Sequence, residues 1–117
     1  MGDNVVLEKS KAFAIRIVKL YQWMTDSKKE FVLAKQVLRS GTSIGANVRE
    51  AHHAQSKREF VAKMNISLKE AAETEYWLEL LHEGGYLITK EFESIYADCV
   101  ELKRLLIAIV KSSNCKE

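Results

Sequence analysis

The sequence contains no proline and only 5 glycines among its 117 residues. Sandwiches and barrels of short strands need turn residues about every ten positions, and this chain has too few of them. The composition therefore disfavours an all-β fold and favours long helices. With 47% hydrophobic residues, the chain is long enough to bury one sizeable core, so we expect a single domain over residues 1–117.

Cysteine is also scarce, with Cys99 at an apolar helical position and Cys115 near the end of the chain. We expect one buried thiol and one tail thiol, which is typical of a reducing compartment, and no disulfide or metal pair. Residues 1–4 lack the basic region and apolar core of a secretory signal. No apolar run approaches the ~20 residues that span a bilayer. The sequence predicts a cytoplasmic protein that does not enter a membrane.

Apolar residues recur at spacings of three and four along most of the chain, which is typical of amphipathic helices. The spacing predicts four helices, at about residues 4–25, 27–53, 56–84 and 89–111, followed by a frayed tail over residues 112–117. Helices of this length joined by short loops pack antiparallel to their chain neighbours. The predicted fold class is all-α, an antiparallel up-down-up-down four-helix bundle.

Two segments have the Ser-x-x-Glu form of a capping box, in which the serine oxygen accepts a backbone N–H and the glutamate reaches back. They are Ser27 to Glu30 and Ser56 to Glu59. These segments predict the starts of the second and third helices. The Gly84-Gly85 pair predicts the end of the third helix, because glycine readily adopts the left-handed conformation that closes a helix.

Gly41 and Gly45 lie four residues apart in the second helix, where each glycine costs about 1 kcal/mol of helix propensity relative to alanine. Small residues at this spacing let two helix backbones approach closely. A phosphate-binding loop is disfavoured, because no strand precedes the segment and no Lys-Ser/Thr pair follows it. We interpret the two glycines as a close-packing site.

Catalytic and metal-binding patterns are absent from the sequence. Glutamates crowd the third helix, but carboxylate-bridged metal bundles use Glu-x-x-His, which does not occur in this chain. Glu75 falls on the inward side of that helix and needs a partner. No nucleophile with a nearby base and no dinucleotide fingerprint is found. We therefore expect no metal, no cofactor and no enzymatic activity.

Charge is distributed unevenly along the chain. Residues 1–69 carry 13 basic and 6 acidic side chains, a net +7, whereas residues 70–117 carry 5 and 10, a net −5. This asymmetry allows a basic face for phosphates or complementary faces that attract copies of the same chain. Net charge alone does not separate the two.

Basic residues cluster on the first two helices. On helix one they project from one face, with Trp23 a turn further on, and on helix two they follow the outer side. Each cluster is either an ordinary solvated face or a surface that contacts phosphates. The residues predicted to bind nucleic acid are Lys9, Arg16, Lys19, Lys35, Arg39 and Arg49.

The third helix carries more apolar surface than one bundle core uses. At 100° per residue, Ala62, Ile66, Trp77 and Leu80 form a second cluster away from the core stripe, and Leu105 lies outside the stripe of the fourth helix. An exposed cluster that contains tryptophan is typical of a partner surface. These five residues are the predicted oligomer interface.

Two segments of the central region resemble a known family. They are RSGTSIGANVREA at residues 39–51 and ISLKEAAETEYWL at residues 66–78, accompanied by Ser56, Phe60, Met64 and residues 85–87. This combination resembles the 23S ribosomal RNA intervening-sequence proteins, and the resemblance covers about residues 10–110.

The resemblance implies a four-helix bundle similar to the accessory variability protein of diversity-generating retroelements. That protein forms a homopentamer and binds nucleic acid and a reverse transcriptase. The resemblance therefore implies a ring of five copies, and it implies no catalysis. It further implies that the signature residues maintain bundle or ring geometry; these are Ser43, Gly45, Asn47, Glu50, Glu73 and Glu75.

The sequence thus supports one main functional hypothesis and one alternative. The main hypothesis is a non-enzymatic, cytoplasmic, oligomeric bundle that binds RNA or another nucleic acid, such as DNA, through the basic faces of helices one and two. The alternative is a protein-binding or structural oligomer whose basic residues are only solvated.

Overall fold

The computed structural model describes residues 2–115, with the side chains of residues 4–114. It contains four helices: α1 (Gly2–Asp26), α2 (Val32–Ala51), α3 (Lys57–Glu83) and α4 (Thr89–Cys115). Loops at residues 27–31, 52–56 and 84–88 join them. The all-α four-helix bundle predicted from the sequence is confirmed.

The helices run antiparallel to their neighbours. A Cβ atom at Gly41 would meet Ile17, and one at Gly45 would meet Ser10, so rising numbers on α2 face falling numbers on α1. The same reversal holds at the other seams. Helix α4 also packs against α1 and closes the bundle, while α1 and α3 lie diagonally opposite each other.

The core runs along the bundle axis and is built from the inward stripe of each helix. Its members are aliphatic, aromatic or methionine side chains that are fully or almost fully buried, because each helix repeats an apolar residue about every turn. The largest buried side chains include Phe13, Ile17, Met24, Ile44, Met64, Leu78, Leu81, Leu102 and Leu106.

The start of α2 differs from the prediction. Lys29 has φ 55°, a left-handed conformation that a helix cannot contain, so the Ser27–Glu30 segment is a loop and not a first turn. Helix α2 begins at Val32, and the Glu30 carboxylate accepts the N–H of Ala34 at 2.9 Å. The predicted helix start at Ser27 is wrong.

The other helix ends follow their capping residues. Ser56 caps α3 and accepts the N–H of Glu59 at 3.0 Å, as predicted. Gly85 has φ 89° just after α3 and lets the chain turn. Helix α4 continues to Cys115, although fraying was expected from residue 112, because no glycine or proline interrupts it. Residues 116 and 117 lie outside the described residues.

Three of the four seams between helices are closed by small side chains. Gly41 and Gly45 bring α2 against α1. Buried hydroxyl groups join α2 to α3, since Ser67 donates to the carbonyl oxygen of Ile44 at 2.8 Å. The Cys99 thiol donates to the carbonyl oxygen of Ala71 across the α3–α4 seam. The α1–α4 seam is packed less closely than the others, and long charged side chains bridge it.

Candidate nucleic-acid interface

Two of the predicted nucleic-acid-binding cations bridge the α1–α4 seam. Lys9 pairs with Glu101 at 3.1 Å. Arg16 pairs with Asp98 at 2.7 Å and donates to the Ser94 hydroxyl at 3.1 Å. Both cations project toward α4, so their charge is matched within the chain. Exposed pairs of this kind contribute at most about 1 kcal/mol each.

A third predicted cation, Arg39, turns onto α3. Its guanidinium donates to the carboxylates of Glu70 and Glu73. The hydrogen bond with Glu73 is the main cause that raises the pKa of Arg39 and, in return, lowers the pKa of Glu73. Glu73 also accepts the indole N–H of Trp77 at 3.0 Å. Arg39 therefore joins α2 to α3 through two ion pairs.

The remaining predicted cations are Lys19, Lys35 and Arg49. All three are exposed, and none makes an ion pair within the described part of the chain. Their side chains face solvent. The structure thus divides the six predicted residues into three that pair with carboxylates on neighbouring helices and three that make no ion pair among the described residues.

Arg49 lines a groove of about 340 Å³ between α1 and α2. Lys11 lies on the other side of this groove, and Leu7, Ala14 and Gly45 contribute its apolar surface. Sequence reasoning missed Lys11. The available signal was its spacing, since Lys11 and Lys19 are eight residues apart and flank the same outer face of α1.

Lys19 lines a second cavity, of about 390 Å³, between the end of α1 and the start of α4. Trp23 forms part of its wall, and the Lys28 ammonium lies 5.3 Å from the centre of the Trp23 ring. The cavity thus combines an aromatic wall with the Lys19 ammonium, and neither Lys19 nor the nearby Lys28 makes an ion pair within the described residues.

The predicted oligomer residues occupy different environments. Ala62 and Ile66 are exposed, and Ile66 keeps 40% of its surface. Trp77 is half-buried and packs against the core of its own chain. Leu80 and Leu105 are also half-buried. Tyr76, which the sequence reasoning did not select, is 54% exposed on the same helix.

The titratable groups inside the bundle are satisfied by neighbours. The Glu75 carboxylate accepts a hydrogen bond from the Lys103 ammonium at 2.9 Å. Lys103 is thus the partner that the inward position of Glu75 required. Burial raises the pKa of the Cys99 thiol to about 12. The Tyr96 hydroxyl donates to Glu79 at 2.6 Å, and this bond raises the pKa of Tyr96 to about 12.

Among residues 2–115, no three His, Cys, Asp or Glu side chains are grouped so that they could hold a metal ion. None of the helices in this range is long and apolar enough to cross a bilayer.

A family model for the 23S rRNA-intervening sequence protein matches residues 2–108. The chain belongs to this family. A solved structure of a protein of unknown function, from the S23 ribosomal protein family of Bacteroides thetaiotaomicron, is 58% identical to it. The alignment covers 95% of this chain and 99% of that chain, with a TM-score of 0.94. No curated protein matches significantly.

In this family member, several residues that carry the resemblance make contacts between helices. Glu50 pairs with Lys63 at 2.8 Å across the α2–α3 seam. Glu73 pairs with Arg39 across the same seam, and Glu75 pairs with Lys103 across the α3–α4 seam. Other family-signature residues act within or beside α2, where the Asn47 amide donates to the Ser43 carbonyl oxygen and Gly45 contacts α1.

Proposed function

We propose that this protein is a non-enzymatic, homo-oligomeric bundle that binds RNA or DNA in the cytoplasm, without a cofactor. The observation that carries the proposal is that three of the predicted cations, Lys19, Lys35 and Arg49, are exposed on α1 and α2 and make no ion pair among the described residues. Charged side chains without a carboxylate partner bind phosphates without first breaking an internal ion pair.

The expected mode of binding is contact with the phosphate backbone. Lysine and arginine contacts to phosphates supply affinity and carry no direct information about base sequence. One chain offers few such contacts, so a single copy binds weakly. Repetition of the same face around an oligomer multiplies these contacts through effective concentration.

Oligomerisation is supported by apolar side chains on two diagonally opposite helices. Ile66 and Tyr76 are exposed on α3, whereas Ile15 and Val18 are exposed on α1. Because α1 and α3 lie on opposite sides of the bundle, contact between the two faces joins copies head to tail. Such contacts close into a ring when the rotation between copies permits it, and the resemblance implies five copies.

A pair of matched triple variants tests the nucleic-acid proposal. In one, the unpaired residues Lys19, Lys35 and Arg49 are replaced by glutamine. In the control, the paired residues Lys9, Arg16 and Arg39 are replaced by glutamine. Each variant therefore loses three positive charges. Binding of labelled RNA is measured by fluorescence anisotropy in low salt.

We expect the first triple variant to lose most of its RNA affinity and the control to keep most of it. Circular dichroism verifies that both variants are folded. Equal loss in both variants would show that only the net charge matters and would overturn the assignment of the binding residues. Lack of binding by the wild-type protein to RNA and DNA would favour the alternative, a protein-binding or structural oligomer.

A further inference from the structure

The α1–α4 seam contains a cavity whose walls differ in chemistry. Its floor is formed by three apolar side chains that are each at least nine-tenths buried, Leu20, Leu87 and Ile95. Trp23 and Lys19 stand on the α1 side. At about 390 Å³, the cavity lies within the usual size range of small-ligand pockets.

The cavity follows from the way this seam is built. The Arg16–Asp98 ion pair spans the two helices and separates this cavity from a smaller one of about 210 Å³, which lies farther along the seam. Long paired side chains bridge this seam, whereas small residues lie at the other seams. The loop at residues 84–88 then supplies Leu87 to the floor.

The charge around the cavity is asymmetric. Lys19 lines it and Lys28 lies over the Trp23 ring, and neither has an ion-pair partner within the described residues. Arg16 is matched by Asp98. One carboxylate, Glu91, lies on the α4 side. The anionic part of a ligand therefore belongs on the α1 side, beside the two lysines.

We propose that this cavity receives one unstacked base of a single-stranded nucleic acid, while Lys19 and Lys28 contact the adjoining phosphates. An apolar floor and an indole wall suit the faces of a nucleobase, because bases stack on aromatic side chains with little dependence on sequence. A duplex keeps its bases stacked and cannot offer one. The proposal rests on the proposed nucleic-acid binding and adds a preference for single strands.

The test compares three labelled ligands of equal length: a single-stranded oligouridine, an abasic oligomer with the same ribose-phosphate backbone, and an RNA duplex. We expect the wild-type protein to bind oligouridine at least about five-fold more tightly than the abasic oligomer, as one base-aromatic stack supplies this factor. Replacement of Trp23 by leucine should remove that difference and leave abasic binding unchanged. Replacement of Trp23 by phenylalanine should retain most of it.

Trp77→Leu is the matched control, because Trp77 is also half-buried but packs beside the α2–α3 seam. This variant should keep the difference between oligouridine and the abasic oligomer. In the Trp77→Phe protein, Trp23 is the only remaining tryptophan, and oligouridine should quench its fluorescence more than the abasic oligomer does. The quenching measurement needs no change at Trp23, so it remains valid if Trp23→Leu fails to fold.

The outcomes separate the cavity from the proposed function. Equal binding of oligouridine, abasic oligomer and duplex, with no base-dependent quenching, would overturn the base pocket and leave phosphate binding intact. Binding of none of the three ligands would overturn both proposals.

Discussion

At the scale of single residues, the two glycines of α2 illustrate how similar sequence signals have different structural roles. Gly41 is buried, and a Cβ atom there would lie 2.7 Å from Cγ1 of Ile17. Gly45 is partly exposed, and a Cβ atom there would lie 3.3 Å from the backbone oxygen of Ser10. The glycine spacing predicts close packing at both positions, but only the structure shows that Gly41 is the more crowded one.

The first prediction is that Gly41→Ala destabilises the protein more than Gly45→Ala. At Gly41 the fully buried, branched Ile17 must move, and overpacking of this kind costs about 1 to 3 kcal/mol. Thermal unfolding followed by circular dichroism measures the difference. In an Ile17→Ala background the cost of Gly41→Ala should shrink, and an undiminished cost would contradict the assigned contact.

The residue Glu73 links stability to pH. Its pKa is lowered chiefly by the hydrogen bond from Arg39 and next by that from Trp77. The folded protein therefore binds this proton less readily than the unfolded chain, whose carboxyl has a pKa near the ordinary 4.5. The stabilisation is present above this pH and is lost as the pH falls through the lower pKa of the folded state.

The second prediction is that Glu73→Gln lowers the melting temperature at pH 7 and that its difference from the wild type disappears in acid. The effect is limited to about 1 kcal/mol, because solvent screens this partly exposed pair. Glu93→Gln is the control, since Glu93 is exposed and makes no ion pair among the described residues. A pH-independent deficit in Glu73→Gln would contradict the prediction.

At the scale of the helices, the same four-residue pattern has two outcomes. The Ser-x-x-Glu segment at Ser56 caps α3, with Glu59 also accepting the N–H of Gln55 at 3.3 Å. The segment at Ser27 does not begin a helix, because Lys29 adopts a left-handed conformation. The local pattern therefore identifies a helix boundary in both places but not the residue at which the next helix starts.

The third prediction compares the two serines. Ser56→Ala should reduce stability by about 1 kcal/mol, because it removes the oxygen that accepts the Glu59 N–H. Ser27→Ala should change stability little, since the Ser27 hydroxyl caps no helix. Both serines are exposed, so urea unfolding of the two variants is a matched comparison. Equal destabilisation would contradict the assigned caps.

Helical periodicity predicts which face of each helix is buried, and this explains why the core and the fold class could be derived from the sequence. It does not predict which charged residues on neighbouring helices meet. Lys9, Arg16 and Arg39 project from the faces that the spacing indicates, but their carboxylate partners lie 31 to 92 residues away along the chain. The structure was therefore needed to show that these three cations pair with carboxylates on neighbouring helices.

The same limit applies to the apolar surface of α3. A helical wheel separates Trp77 from the core stripe, but Trp77 is half-buried against the core, and its indole donates to Glu73, which also pairs with Arg39 of α2. Ala62 and Ile66 remain exposed, as the second cluster requires. A wheel gives the angle of a side chain around its own helix and not the distance to the next helix.

At the scale of the whole molecule, the charge asymmetry has a partly internal use. Basic residues of α1 and α2 pair with acidic residues of α3 and α4 at three places along the bundle. These pairs neutralise part of the positive charge. Lys19, Lys35 and Arg49 are exposed and make no ion pair among the described residues. Internal bridging thus uses some members of the basic set, and the proposed nucleic-acid binding uses others.

The fourth prediction concerns assembly. Static light scattering of the wild-type protein should give five times the chain mass of 13.4 kDa. Ile66→Glu should lower this mass, because it places a charge on the exposed apolar face of α3. Val32→Glu, an equivalent change at the exposed start of α2, should leave it unchanged. A monomeric wild-type protein at micromolar concentration would contradict the proposed ring.

The fifth prediction is the most direct test of nucleic-acid binding through unpaired cations. The measurement is the dependence of affinity for single-stranded RNA on salt concentration, compared between wild type and the Lys19, Lys35 and Arg49 glutamine triple variant. Each lost phosphate contact on a single strand reduces the slope of log affinity against log salt by about 0.7. The account predicts a slope that is shallower by about 2 or more in this variant, with an unchanged oligomer mass, and an unchanged slope in the Lys9, Arg16 and Arg39 variant. Equal slopes in the wild type and the first variant would contradict it.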